Sequence, residues 1–461
     1  MVFSSLVFLF VFLPITLVLY SISPMKLKNL LLLILSLIFY AWGEPIYILL
    51  MLFSAMIDYI HGLLIAKYKG RIGSKLFLLS SIIINIGILA FFKYADFFIG
   101  NVNMLIGTDF ESLKLPLPIG ISFYTFQSMS YTIDVYRGRV QPQKNPIALA
   151  MYICLFPQLI AGPIVRYESI EKKLIHRRVS LHQFAEGVRL FIIGLGKKVL
   201  LANNIGLLWN TIEGQSLSEL TVIESWLGII AFALQIYFDF SGYSDMARGL
   251  GRMFGFNFPI NFQYPYISRS ITEFWRRWHM TLGGWFRDYV YIPLGGSREG
   301  KLKLYVNLFI VWGLTGFWHG ATWNFVVWGL YFGVFIAVEK AGLKQLLIQL
   351  HPVWQHLYFI FFILIGWVLF VFEDLYEGLQ YLMIMLGLTK NPILNEQTLY
   401  ELYTHGVMFI IAIIAALPII NLFKNSRFIP LLSPIVYFAI LLLSTAFLVN
   451  ESYNPFLYFR F

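Results

Sequence analysis

The sequence has little charge and almost no cysteine, and both scarcities narrow the class of protein. Charged residues make up 13% of the 461 residues, whereas hydrophobic residues make up 59%. A soluble protein of this length needs more charge than this to cover its surface. The one cysteine, Cys154, cannot form an intramolecular disulfide and lies in an apolar segment, so we interpret it as a small core residue.

Long apolar stretches recur from one end of the sequence to the other. Each has about 20 residues, enough to cross ~30 Å of hydrocarbon as a helix. We predict an all-α polytopic membrane protein that forms a single domain over residues 1–461, with re-entrant segments at about 146–164 and 260–300. The predicted crossings are 2–20, 29–43, 45–65, 76–98, 116–135, 183–208, 222–240, 304–318, 322–341, 354–372, 404–422 and 431–449.

The net charge of +10 has two interpretations. In a soluble protein it would favour nucleic acid as a partner, but in a membrane protein basic loops stay in the cytoplasm. The basic loops 23–29 and 67–75 lie two crossings apart, so both are predicted inside and the N-terminus outside. We therefore expect the lipid bilayer, and no nucleic acid, as the partner.

Two segments differ from simple crossings. Residues 146–164 are apolar but have basic residues on both sides, and Pro157, Gly162 and Pro163 interrupt the helix. This pattern favours a hairpin that enters from the cytoplasm and returns. Residues 241–303 carry nine Arg or Lys against four Asp or Glu, yet they are rich in aromatic residues. The second segment is therefore predicted to pack into the cytoplasmic membrane interface.

A histidine lies within a long uncharged run. Residues 304–338 contain no Asp, Glu, Lys or Arg, and a helix of these 35 residues would be ~52 Å long, more than one crossing needs. The run is predicted to turn at "GFWHGATWN", below the outer surface, where water can reach His319. A purely structural histidine is the alternative, but ionisable groups at this depth more often mark a pathway or a reaction.

A second histidine lies in the aromatic segment on the cytoplasmic side. Trp275, Trp278 and His279 are predicted to share one face of a helix. Two histidines at one cavity suit a reaction between a donor inside and an acceptor outside. Neutral imidazole can take the proton of a hydroxyl that attacks an activated carbonyl. No metal site is predicted, because no further ligands are placed nearby.

Arginines accumulate beside His279. Guanidinium groups bind phosphate through paired hydrogen bonds, which suits a phosphate-bearing donor. Positive-inside topology explains the same residues equally well. The candidate donor-binding residues are Arg269, Arg276, Arg277 and Arg287.

Seven motifs together resemble the membrane-bound O-acyltransferase family, and more narrowly its alginate and peptidoglycan O-acetyltransferase membrane subunits. The resemblance covers nearly the whole chain. The motifs are "MVFSSLVFLFVFLP" at the start, "LIFYAWGEP" (37–45), "LPIGISFYTFQSMSYTIDVYRG" (117–138), "FPQLIAGPIVRY" (156–167), "YFDFSGYSDMARG" (237–249), "FWRRWHMTLGGWFRDYVYIPLGG" (274–296) and "GFWHGATWN" (316–324).

The resemblance implies a ring of about 11–12 transmembrane helices around a central tunnel in a bacterial plasma (inner) membrane. It implies that His319 is the catalytic histidine and His279 a second active-site histidine. The branch takes an acyl group, usually acetyl, from a cytoplasmic thioester, with acetyl-CoA as the expected donor substrate and no permanently bound cofactor. An extracellular SGNH or esterase-like acetyltransferase partner then places the group on a polysaccharide.

The last residues of the sequence, "NPFLYFRF", resemble the terminal motif of related acyl-transfer systems. By the crossing count this end lies outside, near the depression predicted for His319. A phenol with a pKa of ~10 loses its proton far more easily than a sugar hydroxyl, so Tyr458 is a candidate acyl acceptor. An aromatic anchor at the interface is the alternative.

Three further polar residues are supporting candidates. Asp239, which ends an apolar crossing, can orient a histidine or bind the donor, or it can be an ordinary helix-end aspartate. Asn324 and Gln127 can supply polar contacts in a cavity.

Other functions remain open from the residues alone. Another acyl group, such as D-alanine from a carrier protein, is the alternative within the same class. A secondary transporter also has broken helices and intramembrane charges, but the paired repeats with matched interruptions often seen in transporters are not found here. A membrane scaffold for a secreted enzyme is the third possibility, and it would not need His319.

Overall fold

Helices make up the secondary structure of the part of the chain that the structure describes. The computed structural model describes residues 1–419, 429–450 and 456–457, and these ranges contain no β-strand. Eight of the described helices are long and apolar enough to span a membrane, and Phe8–Ile22 is a shorter apolar helix. Every predicted crossing overlaps a helix. The prediction of an all-α polytopic membrane protein is confirmed.

The chain forms two compact units. Unit 1 comprises residues 1–191 and 243–260, and unit 2 comprises residues 192–242 and 261–461. Two of the three chain boundaries, 191/192 and 242/243, fall within the long helices α9 and α10 defined below, and the third, 260/261, lies between helices. The prediction of a single domain over residues 1–461 stays a prediction.

The helices begin and end as follows. From the N-terminus they are α1 (Phe8–Ile22), α2 (Met25–Ala41), α3 (Ile48–Lys67), α4 (Ile72–Ile106), α5 (Ile121–Tyr136), α6 (Pro146–Cys154), α7 (Phe156–Leu159), α8 (Tyr167–Ile175), α9 (Leu181–Glu213) and α10 (Val222–Met253). They continue with α11 (Ile271–Arg277), α12 (Met280–Phe286), α13 (Lys301–His319), α14 (Trp323–Val338), α15 (Lys344–Gln349), α16 (Pro352–Val371), α17 (Leu375–Met385), α18 (Glu396–Ala416) and α19 (Ile429–Asn450).

In unit 1, a buried aspartate joins α3 to α4. Asp58 accepts hydrogen bonds from Ser81 Oγ at 2.6 Å and from Asn85 Nδ2 at 2.9 Å, so the carboxylate has partners in an apolar environment. Small side chains allow close packing here, because a Cβ at Gly62 of α3 would overlap the Tyr131 ring of α5.

The segment predicted as a re-entrant hairpin consists of two short helices, α6 and α7. Asn145 caps the first through hydrogen bonds from the backbone of Ile147 and Ala148. Residues 151–165 are buried throughout, which irregular backbone in a membrane protein requires unless it lines a cavity. Membrane entry by this segment and by residues 260–300 stays a prediction.

In unit 2, an aromatic core holds the short helices of the segment 261–300. Trp275 packs against Trp312, Trp328 and Phe332, with ring centroids 5.0, 5.4 and 4.9 Å apart. Trp278 lies 5.0 Å from Trp367. Aromatic rings in such edge-on contacts add directional attraction to the burial of a large apolar area. These contacts fix α11 against α13 and α14, and the residue that follows it, Trp278, against α16.

Candidate active site

Close packing between α13 and α14 places His319 at a sharp turn. A Cβ at Gly316 would overlap the Phe325 carbonyl oxygen, and a Cβ at Gly329 would overlap that of Trp312, so only glycine allows this approach. α13 ends at His319 and α14 begins at Trp323, so the uncharged run turns within "GFWHGATWN" as the sequence predicts.

The imidazole of His319 is enclosed by aromatic rings. Its ring centroid lies 5.0 Å from those of Trp318 and Trp328 and 5.6 Å from that of Phe370, each pair near perpendicular. The side chain is buried, with 4% of its surface exposed. These contacts hold the orientation of the ring, as a catalytic group requires.

His279 lies between two helices rather than on one. α11 ends at Arg277, Trp278 is extended, and His279 has φ +42° in the left-handed region before α12 begins. The predicted helix face shared by Trp275, Trp278 and His279 is therefore wrong, although all three line one cavity. Histidine is among the residues that adopt this backbone more readily, but the conformation remains uncommon outside glycine. Such outliers are concentrated at functional sites.

The tautomer of His279 follows from its neighbour Asn261. The Oδ1 atom of Asn261 accepts hydrogen bonds from the Thr281 backbone N–H at 3.2 Å and from the Thr281 hydroxyl at 2.9 Å. The backbone N–H can only donate, so the atom of the Asn261 amide that points toward Thr281 and His279 is its oxygen. His279 Nδ1, 3.2 Å from the same oxygen, then donates. In the neutral imidazole the Nε2 atom keeps its lone pair.

Burial keeps His279 neutral. The residue lies outside the candidate membrane-spanning helices, and desolvation lowers its pKa to about 3. Its ring packs against Phe240 at 4.7 Å and Trp318 at 6.0 Å. At neutral pH the side chain is therefore an uncharged proton acceptor at Nε2.

One cavity of about 220 Å³ in unit 2 contains both histidines in its wall. Three cationic side chains also line it, two of them from π-helical segments, Arg287–Tyr291 and Glu339–Leu343. Such segments occur often at functional sites. The lining includes His279, His319, Trp275, Trp278, Trp312, Thr315, Arg276, Arg287 and Lys340.

The four predicted donor-binding arginines have different surroundings. Arg276 and Arg287 line the cavity, and Arg287 also pairs with Asp288 at 2.7 Å. Arg277 pairs with Glu273 at 2.9 Å and is not in the lining. Arg269 is also outside it, and its backbone N–H donates to Glu273 at 3.0 Å.

The supporting candidates lie outside the cavity lining. Asn324 is buried and donates to the Phe370 carbonyl at 3.3 Å, which joins α14 to α16. Asp239 forms an ion pair with Lys198 in unit 2. Gln127 is buried in α5 of unit 1. Tyr458 lies outside the described residues.

Sequence reasoning missed Glu339, which holds the N-terminus of α11. This buried carboxylate accepts the backbone N–H of Ile271 at 2.7 Å and of Thr272 at 2.9 Å, and Ser270 caps Glu273 N–H at 3.1 Å. A carboxylate satisfies these otherwise orphan donors and interacts favourably with the helix dipole. The signal in the sequence that could have identified Glu339 is its position as the first charged residue after the uncharged run 304–338.

The helices and the cavity together define a polytopic membrane protein with two buried histidines and a cationic lining around one cavity. A sequence model of the membrane-bound O-acyltransferase family matches residues 139–380. The chain therefore belongs to the membrane-bound O-acyltransferase family, and it is an O-acyltransferase.

Relatives indicate the branch of the family. A probable alginate O-acetylase AlgI of Pseudomonas putida is 39% identical over 489 aligned positions that cover both chains completely. That of Pseudomonas aeruginosa is 44% identical over 81% of this chain and 73% of its own length. A peptidoglycan O-acetyltransferase of Helicobacter pylori is 36% identical over 84% and 80%. The chain is an O-acetyltransferase of the alginate and peptidoglycan type.

Proposed function

We propose that this protein takes acetyl from cytoplasmic acetyl-CoA and passes it across a bacterial plasma membrane for O-acetylation of an extracellular or cell-wall polysaccharide. His319 is the catalytic base, Tyr458 is the first acceptor, and a secreted SGNH or esterase-like partner completes the transfer. The observation that carries this proposal is the shared cavity of His279 and His319 beside three cationic side chains.

The cavity suits the reacting end of a thioester. Its volume of about 220 Å³ is smaller than a site for a whole drug-sized molecule, typically ~300–1,000 Å³, but sufficient for an acetyl group and the adjoining chain. Arg276, Arg287 and Lys340 are exposed, so they can pair with donor phosphates at the cavity's edge. The aromatic walls exclude water that would hydrolyse the thioester.

The chemistry is acyl transfer with general-base catalysis. A nitrogen of His319 takes the phenol proton of Tyr458 as the oxygen attacks the thioester carbonyl carbon. The carbon–sulfur bond then breaks, and the thiolate of the donor leaves and takes the proton from His319. Neutral His279 contributes the Nε2 lone pair or, once protonated there, a hydrogen bond to charge that develops in the reaction.

The aryl ester formed on Tyr458 remains activated, because a phenolate is a better leaving group than a sugar alkoxide. A nucleophile of the secreted partner therefore removes the acetyl group from Tyr458 and transfers it to the polysaccharide hydroxyl. The names of the relatives, alginate O-acetylase and peptidoglycan O-acetyltransferase, support a polysaccharide as the final acceptor.

The decisive experiment measures transfer of labelled acetyl from acetyl-CoA in membranes that contain the protein. His319→Ala is expected to lower the rate by ~10²–10⁴-fold, the usual cost of losing a positioned base. His182→Ala is the matched control, since His182 is exposed and is not in the cavity lining. Near-normal transfer by a properly inserted His319→Ala variant would refute the catalytic role.

A further inference from the structure

Lys198 of α9 and Asp239 of α10 form a buried ion pair between two helices. The Lys198 Nζ and Asp239 Oδ1 atoms lie 2.5 Å apart, and each side chain is 3% exposed. Removing both charges from water costs several kcal/mol per ion in general, and a close pair offsets this only when the remaining hydrogen-bonding positions also have partners. The second carboxylate oxygen therefore needs a donor.

That donor comes from a segment far away in the sequence. The backbone N–H of Leu457 donates to Asp239 Oδ2 at 2.9 Å, and the Lys198 Nζ atom lies 4.7 Å from the centroid of the Phe456 ring. Phe456 is 1% exposed. The pair thus provides a charged acceptor for the backbone and a cation for the aromatic ring of one dipeptide.

We propose that the Lys198–Asp239 pair is a docking site for the Phe456–Leu457 segment and sets its register. The site recognises an aromatic side chain followed by a residue with a backbone N–H. This step rests on the proposed role of Tyr458 as acyl acceptor. Because Tyr458 directly follows Leu457, whose N–H is held by Asp239, the docking site also positions the acceptor.

The location of this docking site favours a role in positioning Tyr458. Asp239 precedes Phe240 in α10, and the Phe240 ring contacts His279 at 4.7 Å. Consecutive Cα atoms are ~3.8 Å apart, so a fixed Leu457 restricts where the next residue can reach. A buried charge-assisted bond suits a segment that must hold one register through repeated acyl transfer.

Hydrogen exchange of the Leu457 amide in the purified full chain tests the docking directly. The double variant Lys198→Met with Asp239→Leu replaces the pair without leaving one buried charge, a change that cores often tolerate. We expect the Leu457 amide to exchange at least ~10-fold faster, the effect of losing a hydrogen bond to a charged group. The matched control is Arg248→Met with Asp245→Leu, a pair at 3.0 Å on the same helix.

A second variant changes the docked segment alone. Phe456→Ala leaves both helices intact and removes the ring that Lys198 contacts, so it is also expected to accelerate exchange at Leu457. Unchanged exchange in both variants would overturn the docking site. The readout does not depend on acetyl transfer: if Tyr458→Phe transfers acetyl normally while exchange still responds, the acceptor role fails and the docking site stands.

Discussion

The Nδ1 atom of His279 lies 3.2 Å from the Oδ1 atom of Asn261, and this contact determines which ring nitrogen keeps a lone pair. The same oxygen accepts two hydrogen bonds from Thr281, so Asn261 cannot rotate its amide without breaking them. His279 is thereby held in the tautomer with its proton on Nδ1 and its acceptor on Nε2.

Replacing Asn261 should impair acetyl transfer through His279. Asn261→Leu keeps a similar volume but removes the acceptor, and we expect a rate loss of ~10-fold or more, below the ~10²–10⁴-fold of losing a base. Asn261→Asp retains the acceptor and should restore part of the rate. Asn204→Leu is the control, because the Asn204 amide donates to two carbonyls of its own helix, those of Val199 and Leu200. Equal losses in all variants would contradict the positioning role of Asn261.

Acid should destabilise the protein through His279. Its pKa is lowered to about 3 by burial, whereas the unfolded value is near 6.5. Below pH 6.5 the unfolded chain binds a proton at His279 that the folded protein does not bind. The contribution of neutral His279 to the free energy of unfolding is therefore fully present above pH 6.5 and is lost as the pH falls below it. The expected loss from pH 7.5 to 5 is ~2 kcal/mol at most.

The measurement is the thermal unfolding midpoint in detergent at several pH values. His279→Asn removes the titrating group and tolerates the left-handed backbone, so its midpoint should fall less between pH 7.5 and 5 than that of the wild type. Parallel pH curves for the two proteins would show that His279 does not titrate in this way.

Glu339 should influence donor binding although it lies outside the cavity lining. It accepts the N–H groups of Ile271 and Thr272 and thus holds the helix that carries Arg276. Glu339→Gln loses one of these bonds, worth ~1.5–3 kcal/mol for a charged acceptor, and should raise the KM for acetyl-CoA. Glu401→Gln, a buried glutamate of α18 that bonds Gln397, should affect stability without changing KM.

The sequence was sufficient for the helices and for the turn at His319, because absence of charge and closely spaced glycines leave few alternatives over residues 304–338. It was not sufficient for the segment around His279. Trp275, Trp278 and His279 have helical spacing in the sequence. However, α11 ends at Arg277, before Trp278 and His279, because Asn261 accepts a hydrogen bond from the backbone of Thr281 further along the chain. Tertiary contacts overrode the local periodicity.

The same limit explains the arginines and Glu339. Arg276 and Arg277 are neighbours in one basic run, and only the packing of α11 places the first in the cavity lining and the second against Glu273. Glu339 binds backbone 68 residues away from it in sequence. No pattern in a single sequence predicts such a partner.

Of the four candidate donor-binding arginines, we expect Arg276 and Arg287, which line the cavity, to bind the donor, and we expect Arg277, which pairs with Glu273, not to bind it. Arg276→Gln with Arg287→Gln should raise the KM for acetyl-CoA by ~10-fold or more, given ~1.5–3 kcal/mol for a hydrogen bond to a charged group. Arg277→Gln is the neighbouring control. Because exposed charges are screened, the KM of the wild type should also rise with salt more than that of the double variant. If the double variant and the wild type had equal KM values for acetyl-CoA, membrane topology alone would explain why arginines are concentrated in this segment.

Small residues at the contact between α13 and α14 should be essential for the position of His319. A Cβ at Gly316 or Gly329 would overlap backbone of the other helix, whereas one at Gly313 would meet nothing within 4 Å. Gly316→Ala and Gly329→Ala should each destabilise the protein by ~1–3 kcal/mol through overpacking. Gly313→Ala should instead stabilise it by up to ~1 kcal/mol, the gain in helix propensity.

Activity separates a general loss of stability from a displaced histidine. At a temperature where all three variants remain folded, Gly313→Ala should transfer acetyl at the wild-type rate. Gly316 lies three residues before His319 on α13. The methyl group added by Gly316→Ala forces α13 and α14 apart, which shifts the imidazole of His319 from its contacts with Trp328 and Phe370. A displacement of ~1 Å can cost ~10²-fold in rate. If folded Gly316→Ala retains full activity, the glycine contact does not set the geometry of His319.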